Sequence, residues 1–193
     1  METIELTQQH KRILLHIARK TIENVTKGNK IPSFNVKDPV LETRCGAFVT
    51  IHKNSRLRGC IGNIVGRAPL WQTVRDMAIE AALNDPRFPP VSSQEIEDIE
   101  IEISVLSPLK KIEDINEIEV GKHGILIKRG FYQGLLLPQV ATEYNWDRIT
   151  FLEQTCYKAG LDKDCWKGKN CEIYIFSANV FSEKDLNGND TDK

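Results

Sequence analysis

At 193 residues, with 40% hydrophobic and 27% charged residues, the chain has material for one domain burying roughly 70% of its unfolded surface, which excludes disorder over most of its length. A net charge of −1 and a pI near 6.4, without an aromatic-basic recognition motif, make nucleic acid an unexpected partner. No apolar run approaches the roughly 18 residues of a membrane span, and Met1–Glu5 lacks the basic start and apolar stretch of a signal peptide, so a cytoplasmic protein with no membrane association is expected.

Thr7 is placed to cap a helix in which Ile13, Leu14, Ile17 and residues 21–25 recur near helical spacing, with Gly28 as its stop. Residues 27–42, with Gly28, Pro32 and Pro39, read as an irregular connection that could carry a lid. Strand formers in 45–52, a turn at 53–55, and the resumption of apolar residues at Leu57, Ile61 and Ile64 predict a hairpin. Pro69 suits the first turn of a helix carrying Leu70, Val74, Met77, Ala78 and Ala81 on one face, and the prolines of Asp85-Pro86-Arg87-Phe88-Pro89-Pro90 end it.

Ser92 and Glu95 have capping-box spacing, and Ile99, Ile101, Ile103 and Val105 alternate with Glu100, Glu102 and Ser104 as in a strand with one wet face. Residues 124–128 and 132–137, joined through Arg129-Gly130, predict a second hairpin. Pro138 and Gln139 then interrupt an apolar strand, Asp147 caps a helix ending at Gly160, and 171–176 form a last strand. Residues 182–193 read as a loose polar tail. Hairpins with separate helices imply an α+β fold with a mostly antiparallel sheet and flanking helices, in a single domain over 1–193.

Five cysteines, an odd number without Cys-x-x-Cys spacing, in a chain large enough to fold unaided, predict free thiols and no metal site. Charge is distributed unevenly. Residues 43–75 hold no acid but six basic side chains, whereas 92–119 hold nine acids against Lys110 and Lys111. The first segment either meets anions or pairs with the second.

Leu57-Arg58-Gly59-Cys60-Ile61-Gly62 sets a thiol between two glycines beside a guanidinium. Gly59 and Gly62 let a backbone or ligand approach closely, and strict alternation would put Arg58 beside Cys60, where it would lower the thiol pKa. Three roles for Cys60 remain open: filler of a small space, ligand contact, or nucleophile. His123 suits a base to Cys60 or a plain turn residue, and the Gln139 amide would orient a ligand or satisfy loop backbone. The glycine-rich run 59–67 offers amides to an anion but fits neither phosphate-loop spacing.

Leu57–Gly62, a helix ending in Asp85–Pro90, then His123-Gly124 and Leu137-Pro138-Gln139-Val140-Ala141 resemble the AMMECR family in order and spacing, over about 46–181. The resemblance implies an α+β fold with a larger and a smaller lobe, and a functional centre at 57–62. It also implies association with Memo-like and radical S-adenosylmethionine (SAM) proteins, but no settled reaction and no cofactor. It offers no family cysteine at Cys165. The residues thus suggest a binding module in which Arg58, Gly59, Gly62 and Gln139 hold a small anionic ligand or a partner. The alternative is an enzyme with Cys60 as thiolate and His123 as base.

Overall fold

Thr7 opens helix α1 (Gln8–Val25): its hydroxyl accepts from the His10 amide and its own amide donates to His10 Nδ1, both at 3.2 Å. The computed structural model describes residues 4–187. The inner face of α1 buries Leu14, Leu15, Ala18 and Ile22, and Gly28 follows at φ +70°, where a side chain would be strained. Residues 29–43 cross without helix or strand, anchored by Asp38, whose carboxylate accepts from the amides of Val40 and Leu41.

Strand β1 (Ala47–Lys53) pairs antiparallel with β2 (Arg56–Asn63) and β3 (Ile99–Leu106). Their inward residues Ala47, Val49, Ile51, Ile101, Ile103 and Val105 form one core with α1 and with Val74, Ala78 and Ala81 of α2 (Leu70–Leu83). Pro69 immediately precedes α2, and Ser92 and Glu95 form the expected capping box around a short 3-10 turn. The outward face of β3 is drier than its alternation implies, because Ser104 is buried and Glu100 and Glu102 are half-buried.

A second core lies in residues 107–178. There β4 (Lys110–Ile112), β5 (Gly124–Arg129), β6 (Tyr132–Leu136) and β7 (Glu172–Phe176) form an antiparallel sheet in the order β4-β7-β5-β6. Pro138 does not interrupt a strand; it is the first residue of helix α3 (Pro138–Glu143), where its missing N–H costs nothing. Asp147 caps α4 (Arg148–Lys158) by accepting from the Thr150 amide at 2.7 Å. Cys156 and Cys165, expected as free thiols, are joined in a disulfide. Gly160, at φ +74°, turns the chain back after α4 so that two cysteines nine positions apart meet, a reversal that spacing alone does not encode.

Strand β8 (Ala178–Ser182) completes the first sheet in the order β2-β1-β3-β8, and helix α5 (Glu183–Asn187) follows. Residues 182–187, expected within the polar tail, are therefore folded; the rest of that expectation lies outside the described residues. The Glu183 carboxylate accepts from Arg19 Nε and from the Ile101 amide, each at 2.8 Å, and Leu186 is buried. The molecule is thus α+β with two four-stranded antiparallel sheets rather than one. Its larger unit holds Ile4–Leu106 and the chain from Asn179, and its smaller unit Ser107–Ala178.

Candidate functional site

Strand β2 is an edge of its sheet, and Cys60 pairs with Thr50 of β1. The outward backbone of Cys60 does not await a ligand. Its amide donates to Asp85 Oδ2 at 2.8 Å, and its carbonyl accepts from Arg87 Nη2 at 3.1 Å. Arg87 also grips Asp85 through Nε and Nη2 at 2.9 and 2.7 Å, and its own amide donates to Oδ1. Asp85 and Arg87 thus form a clasp over the strand edge, satisfying backbone groups that would otherwise template another strand. The Asp85 side chain is 2% exposed. The Arg87 hydrogen bonds hold its pKa well below the usual carboxylate range against the cost of burial, helped by the amides of Cys60 and Arg87.

Arg58 has a different task. Ile51 pairs with Gly59 and His52 with Leu57, so Arg58 is the extra residue of a β-bulge and strict alternation fails at that position. Its Nε and Nη2 bond Glu95 at 3.0 and 3.1 Å, and Nη1 and Nη2 bond the carbonyls of Pro89 and Pro90 at 2.8 and 3.2 Å. These four bonds use most of a guanidinium's donors. Glu95 is lowered to about 2, first by Arg58, then by the Ser92 amide and Lys53, with burial opposing. Lys53 also faces Asp98 at 3.9 Å. Here the acid-free and acid-rich segments pair with each other.

The motif glycines admit protein rather than ligand. A β-carbon on Gly59 would lie 2.3 Å from the Ala81 carbonyl oxygen of α2, and one on Gly62 would lie 2.3 Å from the Phe48 ring. What remains open is the thiol. Cys60 is half-exposed, its sulfur accepts from Thr50 Oγ1 at 3.3 Å, and it contributes to the interactions that hold the Arg87 charge. The Arg87 side chain is 53% exposed and lies over the Phe88 ring, 5.5 Å from its centroid. The geometry sets a half-exposed sulfur, backed by the buried Thr50 hydroxyl, beside an exposed guanidinium. The Asp85 carboxylate already has both oxygens occupied.

His123 and Gln139 belong to the smaller unit, whereas Arg58, Gly59, Cys60 and Gly62 belong to the larger. The pairing of β5 with β6 brings His123 and Gln139 to the same end of the second sheet. His123 is 7% exposed; its Nδ1 lies 3.1 Å from both the Glu119 amide and the Glu117 carbonyl, leaving Nε2 for any further bond. Burial lowers its pKa, with Glu119 opposing. It lines a hollow of about 370 Å³ beside Lys110 and Lys122. The Gln139 side-chain oxygen is buried and accepts from no group among the described residues, an acceptor still open to a donor.

The AMMECR1 family description matches residues 15–181, which run through both units. The chain belongs to the AMMECR1 family. A protein of Methanosarcina acetivorans is 42% identical over 192 residues, covering 95% of this chain and 96% of its own length. One from Methanopyrus kandleri is 44% identical, covering 95% and 93%. The crystal structure of the uncharacterized protein PH0010 from Pyrococcus horikoshii matches with a TM-score of 0.83 and 40% identity, covering 89% of this chain and 90% of its own.

Three residues that surround Cys60 were not among the sequence candidates: Thr50, Asp85 and Arg87. Asp85-Pro86-Arg87 was legible only as a helix terminator. A carboxylate and a guanidinium two residues apart, held by an intervening proline, were the available sign that something would be gripped. No helix among the described residues is long and apolar enough to cross a membrane.

Proposed function

We propose that this AMMECR1 domain is a cytoplasmic binding module whose ligand contact is the ledge formed by Cys60 and Arg87 and backed by Thr50. The preferred ligand is a small anion or the carboxylate of a partner protein. One observation carries the reading: Arg87 keeps half its surface exposed beside the half-exposed thiol, while the neighbouring carboxylate is locked by internal hydrogen bonds. A fixed cation with a thiol neighbour suits recognition of an oxyanion. A locked carboxylate does not suit proton transfer. Arg58, Gly59 and Gly62 serve this site by shaping the strand, and Gln139 supplies an open acceptor in the smaller unit. The family resemblance names Memo-like and radical SAM proteins as the partners to try first.

The test is calorimetry with inorganic phosphate, acetate and a pentaglutamate peptide, followed by purified Memo-like and radical SAM proteins. Arg87→Gln should weaken the best of these by at least about fivefold, the worth of a charge-assisted hydrogen bond. Unchanged affinity in that variant, or no binding by the wild type, defeats the proposal.

A second reading makes Cys60 a thiolate nucleophile with His123 as base. Two neighbours favour it: the Thr50 hydroxyl donates to the Cys60 sulfur at 3.3 Å, and the Arg87 guanidinium is bonded to the same residue's carbonyl. Alkylation followed against pH decides. A Cys60 that reacts at pH 7 no faster than a simple thiol, or at a rate unmoved by His123→Ala, removes this reading.

A further inference from the structure

A hollow of about 700 Å³ lies in the larger unit, between α1, the β1–β2 turn, the start of β3 and α5. Its volume is in the range that takes a small organic molecule. The floor is apolar, formed by Leu15, Ile99 and Leu186. Arg12 and His16, one helical turn apart on α1, make one wall, and His52 with the turn residues Asn54 and Ser55 makes the facing one.

Two features set these walls apart from ordinary surface. Each lining carboxylate faces a cation: Glu183 meets Arg19, Glu100 meets Lys184, and Asp98 meets Lys53 at 3.9 Å. By contrast, the side chains of His16, His52, Asn54 and Ser55, drawn from three elements, have no hydrogen bond among the described residues. The turn also keeps side chains where glycine would fit more easily, with Asn54 at φ 51° and Ser55 at φ 60°. A serine held in the left-handed region places a hydroxyl on the rim at a conformational cost. Among the described residues no three His, Cys, Asp or Glu side chains cluster to hold a metal ion, so the open groups suit an organic ligand.

We propose that this hollow binds a small organic anion, a carboxylate or phosphate monoester with an apolar body. The anionic oxygens sit between His16 and His52 with hydrogen bonds from Asn54 and Ser55, and the body covers Leu15, Ile99 and Leu186. Apolar contact with the floor accounts for a ligand larger than a bare ion. The proposal stands apart from the Cys60 ledge and does not depend on it.

The experiment is an NMR titration of the full chain, labelled at histidine, with phenyl phosphate, benzoate and inorganic phosphate. Phenyl phosphate or benzoate should move the His16 and His52 imidazole resonances along one saturable curve, with inorganic phosphate at least about tenfold weaker for want of an apolar body. The stronger of the two organic anions identifies the head group. His52→Ala and Ser55→Gly should each weaken binding by at least about threefold, with folding checked by thermal melts. Arg87→Gln and Cys60→Ala should leave it unchanged, which separates this result from the fate of the Cys60 reading. Three results overturn the proposal: no saturable shift up to about 10 mM, equal affinity for inorganic phosphate, or movement of His16 without His52. The last would place the anion in the neighbouring hollow that His16 shares with Ser33 and Phe34.

Discussion

The two hairpins of the molecule, β1–β2 and β5–β6, each end in an edge strand, and each edge strand carries a glycine pressed against a helix. A β-carbon on Gly59 would meet the Ala81 carbonyl oxygen at 2.3 Å, and one on Gly134 would meet the Ala159 amide nitrogen at 2.4 Å. To that extent they are alike. They differ in what lies beyond the glycine: β2 is gripped at Cys60 by a carboxylate and a guanidinium from 85–87, whereas β6 begins beside the fully exposed Phe131. A glycine in an edge strand is therefore a packing device in both places. The clasp and the thiol, not the glycines, set 57–62 apart from the other edge strand.

The largest effects should come from testing that likeness. Gly59→Ala and Gly134→Ala each drive a β-carbon into backbone that cannot rotate away, so each should cost about 3 kcal/mol or more in denaturant unfolding. A loss below about 0.5 kcal/mol at Gly59 alone would return that glycine to ligand binding.

Asp85→Asn tests the difference. It weakens the grip on Arg87 and on the Cys60 amide, at about 2 kcal/mol once the exposure of Arg87 is discounted. The sign with pH follows from the lowered pKa of Asp85. The Asp85 contribution is complete above the unfolded carboxylate value of about 3.9 and disappears as pH falls toward the folded value. Glu95, lowered to about 2, acts in the same direction from about pH 4.5 downward. Urea titrations of the wild type should show stability falling across this range, and Asp85→Asn should flatten the slope. A variant with the wild-type slope would show that the clasp does not hold the strand.

In the smaller unit, the disulfide closes a loop with a separation of nine, which by chain entropy contributes roughly 2.6 kcal/mol. Mild reduction or Cys165→Ser should lower the stability of the chain by that amount, measured by thermal unfolding with and without reductant. The same treatment should leave the alkylation rate of Cys60 unchanged. A coupled change would show that the sulfur chemistry of the two units is linked.

What the sequence made legible was local. The Thr7 and Asp147 caps, the extended run of β3 and both hairpins depend on neighbours a few residues away and form where the sequence implies, although the face of β3 expected to be wet is half-buried or buried. Arg58 was assigned to the thiol because alternation looks unbroken in sequence; the bulge opposite Ile51 and His52 sends it to Glu95 instead, and Arg87 takes the place beside Cys60. Strand β8 and helix α5 were missed for a related reason. Glu183 reads as a tail residue until Arg19 and the Ile101 amide, 164 and 82 positions away, become its partners. Long-range polar contacts leave no periodic trace.

The turns give the smallest and sharpest comparison. The β5–β6 turn uses Gly130 at φ 61°, with nothing within 4 Å of a would-be β-carbon, whereas the β1–β2 turn holds Ser55 at φ 60°. Backbone preference alone therefore predicts opposite signs for reciprocal changes: Gly130→Ala should cost about 1 kcal/mol, and Ser55→Gly should stabilise by about 0.5 kcal/mol, less than the relieved strain because glycine loses more entropy on folding. If Ser55→Gly stabilises the empty protein while weakening the organic anion, the strain at this turn is maintained for binding. If it stabilises and binding is untouched, the serine is an ordinary turn residue and the hollow must recruit its ligand through the imidazoles alone.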